Sequence, residues 1–380
     1  MSGTISMINN KRLLETFVEL LKIESPSKRE KQIVSYVSKK LKNLGAEVYM
    51  DDCGKEFGGD AGNIVATYKP KNPSGSIPIF LGAHLDTVKL NGSIVPIIKD
   101  GKIVNEDKNC ILGGDNKVAV AAIIEALNTI KEKNISTGNI YIIFTVSEEI
   151  GLLGAKHLNL DLVSANYGFV FDSGGDVGTI VNKAPYQNSI YSQFIGKAAH
   201  AGVEPEKGIN SIKAASIAIS NVKVGRIDKE TTCNVGKIEG GVATNIVPER
   251  TKVEAEVRSI RLDKLNKVTK LIVENFELAA KGYKAKFEYK IKREYDGFEI
   301  LENEIPVIMA KNAIKNLGLK HKVVSSGGGS DINIFNSNGK RAVNLSAGME
   351  NVHTSNEYVK INQLEKLAEL IVEICKLKIN

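Results

Sequence analysis

KVAVAAIIEALNTIKEKNISTGNIYIIFTVSEE, residues 117–149, reads as a helix with a dense small-and-aliphatic face, a polar turn, and then a strand apolar on both faces. A strand of that kind has to be covered on both sides, which is the habit of parallel strands in α/β layers. The helix runs from about 117 to 131 and the strand over Ile140–Val146. The same alternation extends outward. Amphipathic spacing predicts helices near 10–22 and 28–43, the second ended by Gly45, followed by strands Ala46–Met50, Asn63–Tyr68 and Ile77–Ala83. Beyond residue 149 come a short helix, Leu153–His157, and another apolar strand, Tyr167–Phe171.

The grammar changes near residue 185. Segment 188–295 runs strand, helix (Ser211–Val222), two strands (Thr232–Ile238 and Arg250–Ile260), helix (Leu265–Ala280) and strand (Ala285–Arg293). That order resembles the ferredoxin-like motif. The chain then returns to helix (304–316), strand (Val323–Val324), a Gly-rich loop, strand (Ala342–Leu345) and a last helix (362–376). The expected organisation is one discontinuous α/β domain, 1–185 and 296–380, with residues 186–295 inserted as an α+β domain.

At 380 residues the chain is long enough for about two domains of roughly 150 residues. It is 42% hydrophobic and 25% charged, so a folded core is expected and disorder is not. Lys plus Arg exceed Asp plus Glu by 51 to 44, spread without any block of like charge, which gives no footprint for nucleic acid. No apolar run approaches 18 residues, and MSGTISMINNKRLLETF lacks the parts of a signal peptide, so a cytoplasmic protein without membrane contact is expected. Cys53, Cys110, Cys233 and Cys375 have no tight spacing and read as buried free thiols.

Ligands of open α/β sheets bind at the carboxyl ends of the strands. Here those ends carry His84-Leu85-Asp86, Asp115 after Leu112-Gly113-Gly114, Ser147-Glu148-Glu149, Asp172, and the loop Ser346–His353. Each residue alone has an ordinary structural reading: Asp115 as a helix cap, Asp172 in a turn, the glutamates at a solvated helix start. Together they put two histidines and several carboxylates at one sheet edge. Imidazole and carboxylate suit zinc, and a shared carboxylate suits two ions about 3.5–4 Å apart. Asp86 shares a strand face with His84, where it is placed to accept the imidazole's other N–H. Of two adjacent glutamates only one easily binds the metal, which leaves the other as a base.

The stretches GAHLDTV (82–88), GGDNKVAVAAIIEAL (113–127), TVSEEIGLLGAKHL (145–158), FDSGG (171–175), GKAAHAGVEPEKGINSI (196–212), GKIEGGVATNIVPERTKVEAEVRSI (236–260), SSGGGSDINIF (325–335) and NLSAGMENVHTSNEYV (344–359) carry a resemblance. In order and in coverage of the chain, they resemble the two-zinc exopeptidases and amidohydrolases that include peptidase T, carboxypeptidase G and the aminoacylases, and are most similar to the peptidase T-like branch. The resemblance implies a zinc-exopeptidase-like catalytic domain, with a mostly parallel sheet and helices on both faces, and an inserted ferredoxin-like domain that is lid and homodimer contact. It makes His84 and Asp172 ligands of one zinc, Glu149 and His353 ligands of the other, and Asp115 the bridge. Glu148 becomes the general base and Asp86 the residue orienting His84. His200 resembles a residue that reaches into the partner subunit's site, Asn245 and Arg258 resemble residues that grip substrate, and Gly328 lies in a loop similar to one lining the pocket. Many relatives have Asp-Asp, joined by a cis peptide, where this chain has Asp115-Asn116.

The implied reaction is hydrolysis of a short peptide at its N-terminal residue, as by a tripeptide aminopeptidase. A metal-bridged hydroxide attacks while Glu148 takes and returns a proton. Two Zn2+ per chain are expected, with Co2+ or Mn2+ compatible with the same ligands. An N-acyl amino acid deacylase or other amidohydrolase is the alternative with the same machinery, and a metal-binding protein without catalysis is a third. The GGGS run at 327–330 lacks the spacing of a phosphate loop and opens no clear helix, which speaks against nucleotide binding.

Overall fold

A computed structural model describes residues 7–378. The first residues of the segment inspected for a leader peptide lie outside that range. The chain divides into two compact units: residues up to Lys183 with Glu299–Ser325 and everything from Ser330 on, and Ala184–Phe298 with Ser326–Gly329. The Gly-rich loop at 326–329 therefore groups with the second unit, which a boundary at 296 does not anticipate.

The first unit is built on a sheet whose centre is four parallel strands in the order Ile140–Thr145, Ile79–His84, Tyr167–Ser173, Arg341–Ser346. Antiparallel strands Ile64–Tyr68 and Glu47–Met50 extend one side. The Ile79–His84 strand is buried at every position, as its apolar run requires. Phe80 pairs with Gly168 on the neighbouring strand, and a Cβ at 168 would sit 2.2 Å from the Phe80 ring, so only glycine fits there. The other edge of that ring packs against Phe335 at 5.7 Å between centroids. Helix Lys117–Glu132 is buried along most of its length among the Asn10–Leu21, Lys31–Leu44 and Ile361–Lys376 helices and the Ile79–His84 strand. This is the packing that its small-and-aliphatic composition anticipates.

Two local differences from the expected elements have plain causes. The second helix starts at Lys31 rather than 28, because Lys28 has φ +71°, outside any right-handed helix. The Gly-rich run does open a helix, Asp331–Ser337, whose start Ser330 and Asn333 cap reciprocally. A small antiparallel sheet also escaped the periodicity. It joins Met349–Glu350, Tyr358–Lys360, Lys102–Asn105 and Pro96–Lys99, and the last two are linked by Asp100-Gly101, both at positive φ. Its strands are two to four residues long, too short to show a period.

The second unit is a five-stranded antiparallel sheet in the order Gly225–Arg226, Thr231–Gly240, Arg250–Ser259, Tyr186–Ile195, Lys286–Tyr295. Helices Ser211–Ser220 and Leu262–Gly282 pack on it and on each other. Apart from the two-residue edge strand, the spatial order is that of a ferredoxin-like βαββαβ unit. Phe194, Phe276 and Phe287 cluster in its core at centroid distances of 5.1–6.2 Å. The four cysteines are free and buried. Among the described residues no helix is long and apolar enough to cross a membrane.

Candidate active site

Five segments of the first unit deliver the site residues, and most are held by hydrogen bonds to buried polar side chains. His84 ends its strand at 2% exposure. Its Nδ1 lies 3.0 Å from the main-chain carbonyl of Asp86, and the Asp86 carboxylate is at 3.5 Å. The main chain, rather than the Asp86 side chain, thus makes the shorter contact and favours a proton on Nδ1, leaving Nε2 to face Asp115 and Asp172. The Asp86 carboxylate does other work. It accepts the N–H of Glu148 at 2.9 Å and of Glu149 at 3.2 Å, and the hydroxyl of Ser27 at 2.6 Å. One buried aspartate sets the backbone beneath both glutamates.

Asp115 is the hub. Its Oδ1 lies 3.2 Å from His84 Nε2, and its Oδ2 lies 3.2 Å from His353 Nε2. It does not cap the helix that follows; Asn116 holds the cap position, and the Asp115–Asn116 peptide bond is cis. Asp172 Oδ1 is 3.4 Å from His84 Nε2, and Glu149 Oε1 is 2.8 Å from His353 Nε2. Donor atoms lie within 4.8 Å of one another in three sets: His84 with Asp115 and Asp172, Asp115 with Glu149 and His353, and His84 with Glu148 and Glu149. The Asn116 amide donates to Asp172 Oδ1 at 3.2 Å, which an aspartate in its place could not do when ionised.

The residues fit a pair of metal ions by an observation independent of the motifs. Glu149 Oε1 is buried without a hydrogen-bond partner, although His353 Nε2 is 2.8 Å away. A buried carboxylate oxygen left without a hydrogen bond beside an imidazole nitrogen is one that a bound cation would satisfy. Imidazole plus carboxylate is a donor set for zinc and its neighbours.

Charge crowding shows in the proton affinities. Burial lowers the pKa of His84, but the carboxylates of Asp115, Asp172 and Asp86 outweigh it and hold the imidazole well above its usual value. Asp115 and Glu149 raise His353 to about 10. Burial is countered at Asp115 by His353 and His84, which hold it well below the carboxylate range. Burial raises Asp172 to about 6, and burial with the charge of Asp172 raises Glu148 well above its usual value. Without ions, the site stores protons where cations belong. Metal uptake by the stripped protein should therefore release protons, and affinity should rise with pH, since a metal takes only the neutral imidazole. Calorimetric titration in two buffers of unlike ionisation enthalpy reads the release, and equal heats in both would contradict it.

Several contributors have no signal in the sequence pattern. Glu30 is fully buried, and its Oε1 accepts the Ser147 N–H at 2.9 Å, the Ser147 hydroxyl at 2.7 Å and the Lys28 N–H at 2.9 Å. It thereby steadies Ser147, at φ +54°, directly before Glu148. Asn344 brackets Asp172, accepting its N–H at 2.8 Å and donating to its carbonyl at 3.2 Å. Asp331, buried with a pKa raised to about 7 by that burial, takes the hydroxyl of Thr145 below the glutamates. Asp331 and Asn344 fall inside motifs quoted above; Glu30 stands outside all of them.

His200, Asn245, Arg258 and Gly328 belong to the second unit. His200 and Asn245 are exposed, and a backbone hydrogen bond from Ala201 to the Asn245 carbonyl at 2.9 Å ties their loops together. Arg258 grips Glu256 through Nε and Nη2, both at 3.0 Å, and its Nη1 would lie 3.8 Å from a Cβ at Gly328.

Residues 80–377 match the family described as Peptidase family M20/M25/M40. Two solved structures are 41% identical to this chain. One is described as aminopeptidase PepT from Bacillus cereus, with a TM-score of 0.88 over 97% of this chain and 99% of that one. The other is a tripeptidase from Staphylococcus aureus, with a TM-score of 0.92 over 97% and 98%. Peptidase T of Fusobacterium nucleatum is 28% identical over 90% of this chain and 82% of its own.

Proposed function

The chain belongs to peptidase family M20/M25/M40, and from that premise we propose that it is a two-zinc aminopeptidase removing the N-terminal residue of short peptides, tripeptides in particular. Membership makes it a metallo-exopeptidase hydrolase. The observation that carries the finer reading is Asp115, whose two oxygens each face a histidine of a different donor set at 3.2 Å, as a carboxylate shared by two ions must. The N-terminal specificity rests on the 41% identical relatives described as an aminopeptidase and a tripeptidase.

In this reading His84, Asp115 and Asp172 hold one ion, and Asp115, Glu149 and His353 the other, zinc being favoured and cobalt or manganese compatible. Bound zinc supplies Lewis acidity to a water and to the scissile carbonyl. The protein does the rest. Glu148 takes the proton of the attacking water and delivers it to the departing amine, a task its raised proton affinity suits. Asp86 orients the glutamate pair through their own N–H groups. Arg258 and Asn245 bind the substrate's polar ends, Gly328 leaves them room, and His200 acts on the partner subunit's substrate in a homodimer formed through the second unit.

The test is a panel of tripeptides with free and with blocked N-termini, alongside N-acyl amino acids, given to the zinc-loaded protein. Release of the first residue from free N-termini alone is the expected result. Turnover of the acylated compounds alone would make the protein a deacylase with the same site, and silence on every substrate with two ions bound would make it a metal-binding protein without catalysis.

A further inference from the structure

The two-ion reading leaves open what holds the shared carboxylate itself. Asp115 sits at the end of Leu112-Gly113-Gly114, a loop without regular structure before the helix. Three successive backbone N–H groups of that loop point at one side chain. Gly113 donates to Glu357 Oε2 at 2.8 Å, and Gly114 and Asp115 donate to Glu357 Oε1 at 2.8 and 3.0 Å. Glu357 is 2% exposed and comes from more than 240 residues away, directly before the Tyr358–Lys360 strand. That strand pairs with Lys102–Asn105 in the small sheet, so its position is fixed by a hydrogen-bonded ladder rather than by a free loop.

The glycines are what allow three amides to converge. Gly113 has φ +69°, which side chains rarely adopt, and a Cβ at Gly114 would lie 3.2 Å from both Glu357 Oε1 and Val359 Cγ2. A fully buried lysine, Lys117, lies in the first turn of the helix that follows, and its Nζ donates to the Ile23 carbonyl at 2.6 Å. Buried charge accepting three N–H groups is costly to build and strongly directional.

We infer that Glu357 is the positioning residue for the metal pair: it holds the main chain of Asp115 so that the carboxylate meets both histidines at once. Its own side chain is committed to the backbone and it donates nothing to an ion. The inference rests on the two-ion reading above.

The experiment compares Glu357→Gln with Glu125→Gln in the full chain. Glutamine keeps Oε1 as acceptor for Gly114 and Asp115 but turns an NH2 toward the Gly113 N–H, two donors face to face. Glu125 is an equally buried carboxylate on the same helix, paired instead with Arg12, and serves as the control for lost stability alone. Zinc affinity of each stripped protein is measured by competition with a chelator, together with its Tm. Substitution of such supporting groups lowers metal affinity by about 10–100-fold.

The expected result is that both ions weaken by that factor in Glu357→Gln, whereas Glu125→Gln loses Tm and binds zinc as the unaltered chain does. Wild-type affinity at both sites in Glu357→Gln overturns the inference. Weakening of only one ion also overturns it, since Glu357 would then act through its neighbour His353 and not through Asp115. An unaltered chain that takes up one ion overturns the two-ion reading instead, and Glu357 is then judged on that ion alone: weakened binding supports the inference and unchanged binding overturns it.

Discussion

Glu148→Gln should abolish measurable peptide hydrolysis while zinc content stays at the level of the unaltered chain. The side chain is 8% exposed, and its backbone is pinned by the Asp86 carboxylate at 2.9 Å. Burial and the charge of Asp172 raise its proton affinity, which equips it to accept a proton from a water that a metal has made acidic. Glutamine matches the shape and removes that capacity. A positioned proton carrier contributes about 10² to 10⁴ in rate, and loss at the upper end is expected because the two nearest carboxylates in the chain are engaged elsewhere. Glu149 faces His353 at 2.8 Å, within a ligand set, and Asp86 accepts two N–H groups and a hydroxyl. Metal analysis beside the assay separates the roles of the pair. Zinc lost together with activity in Glu148→Gln would make Glu148 a ligand and Glu149 the base.

Asp115→Ala should empty both sites, whereas His84→Ala and His353→Ala should each weaken one ion first. The asymmetry follows from geometry. Asp115 approaches both histidines at 3.2 Å, one through each carboxylate oxygen, while Asp172 lies 3.4 Å from His84 and Glu149 makes its close approach, 2.8 Å, to His353. Direct loss of a shared ligand should exceed the 10–100-fold cost of losing a supporting group, and hydrolysis should fall to background. Zinc per chain after dialysis against a weak chelator reads this directly. Retention of one tightly held ion in Asp115→Ala would show that the carboxylate serves a single site. The histidine variants also differ in access: His84 is buried, and the His353 side chain is 47% exposed, so the ion on its side should exchange faster.

Much of this site was legible because metal chemistry restricts residue types. Two histidines and a run of carboxylates at the ends of apolar strands have few other uses, and His84, Asp115, Glu148, Glu149, Asp172 and His353 do converge within one unit. The role of Asp86 was legible only in part. Strand periodicity put its side chain on the face of His84, but the carboxylate turns to the amides of Glu148 and Glu149, whose approach no spacing records.

Read from its residues alone, the chain already specifies the α/β layer, the ferredoxin-like order of the second unit, and the side chains whose donor atoms converge at the sheet edge. These depend on local properties: apolar runs that must be covered, helical spacing, and side chains with the right donor atoms. Which buried carboxylates serve as braces follows from long-range contacts. Glu30 holds Ser147 across 117 residues and Glu357 holds Gly113–Asp115 across more than 240, and both look like surface glutamates in sequence. A carboxylate is a ligand, a base or a brace according to which N–H groups and charges surround it once buried, and those surroundings come from segments that folding alone brings together.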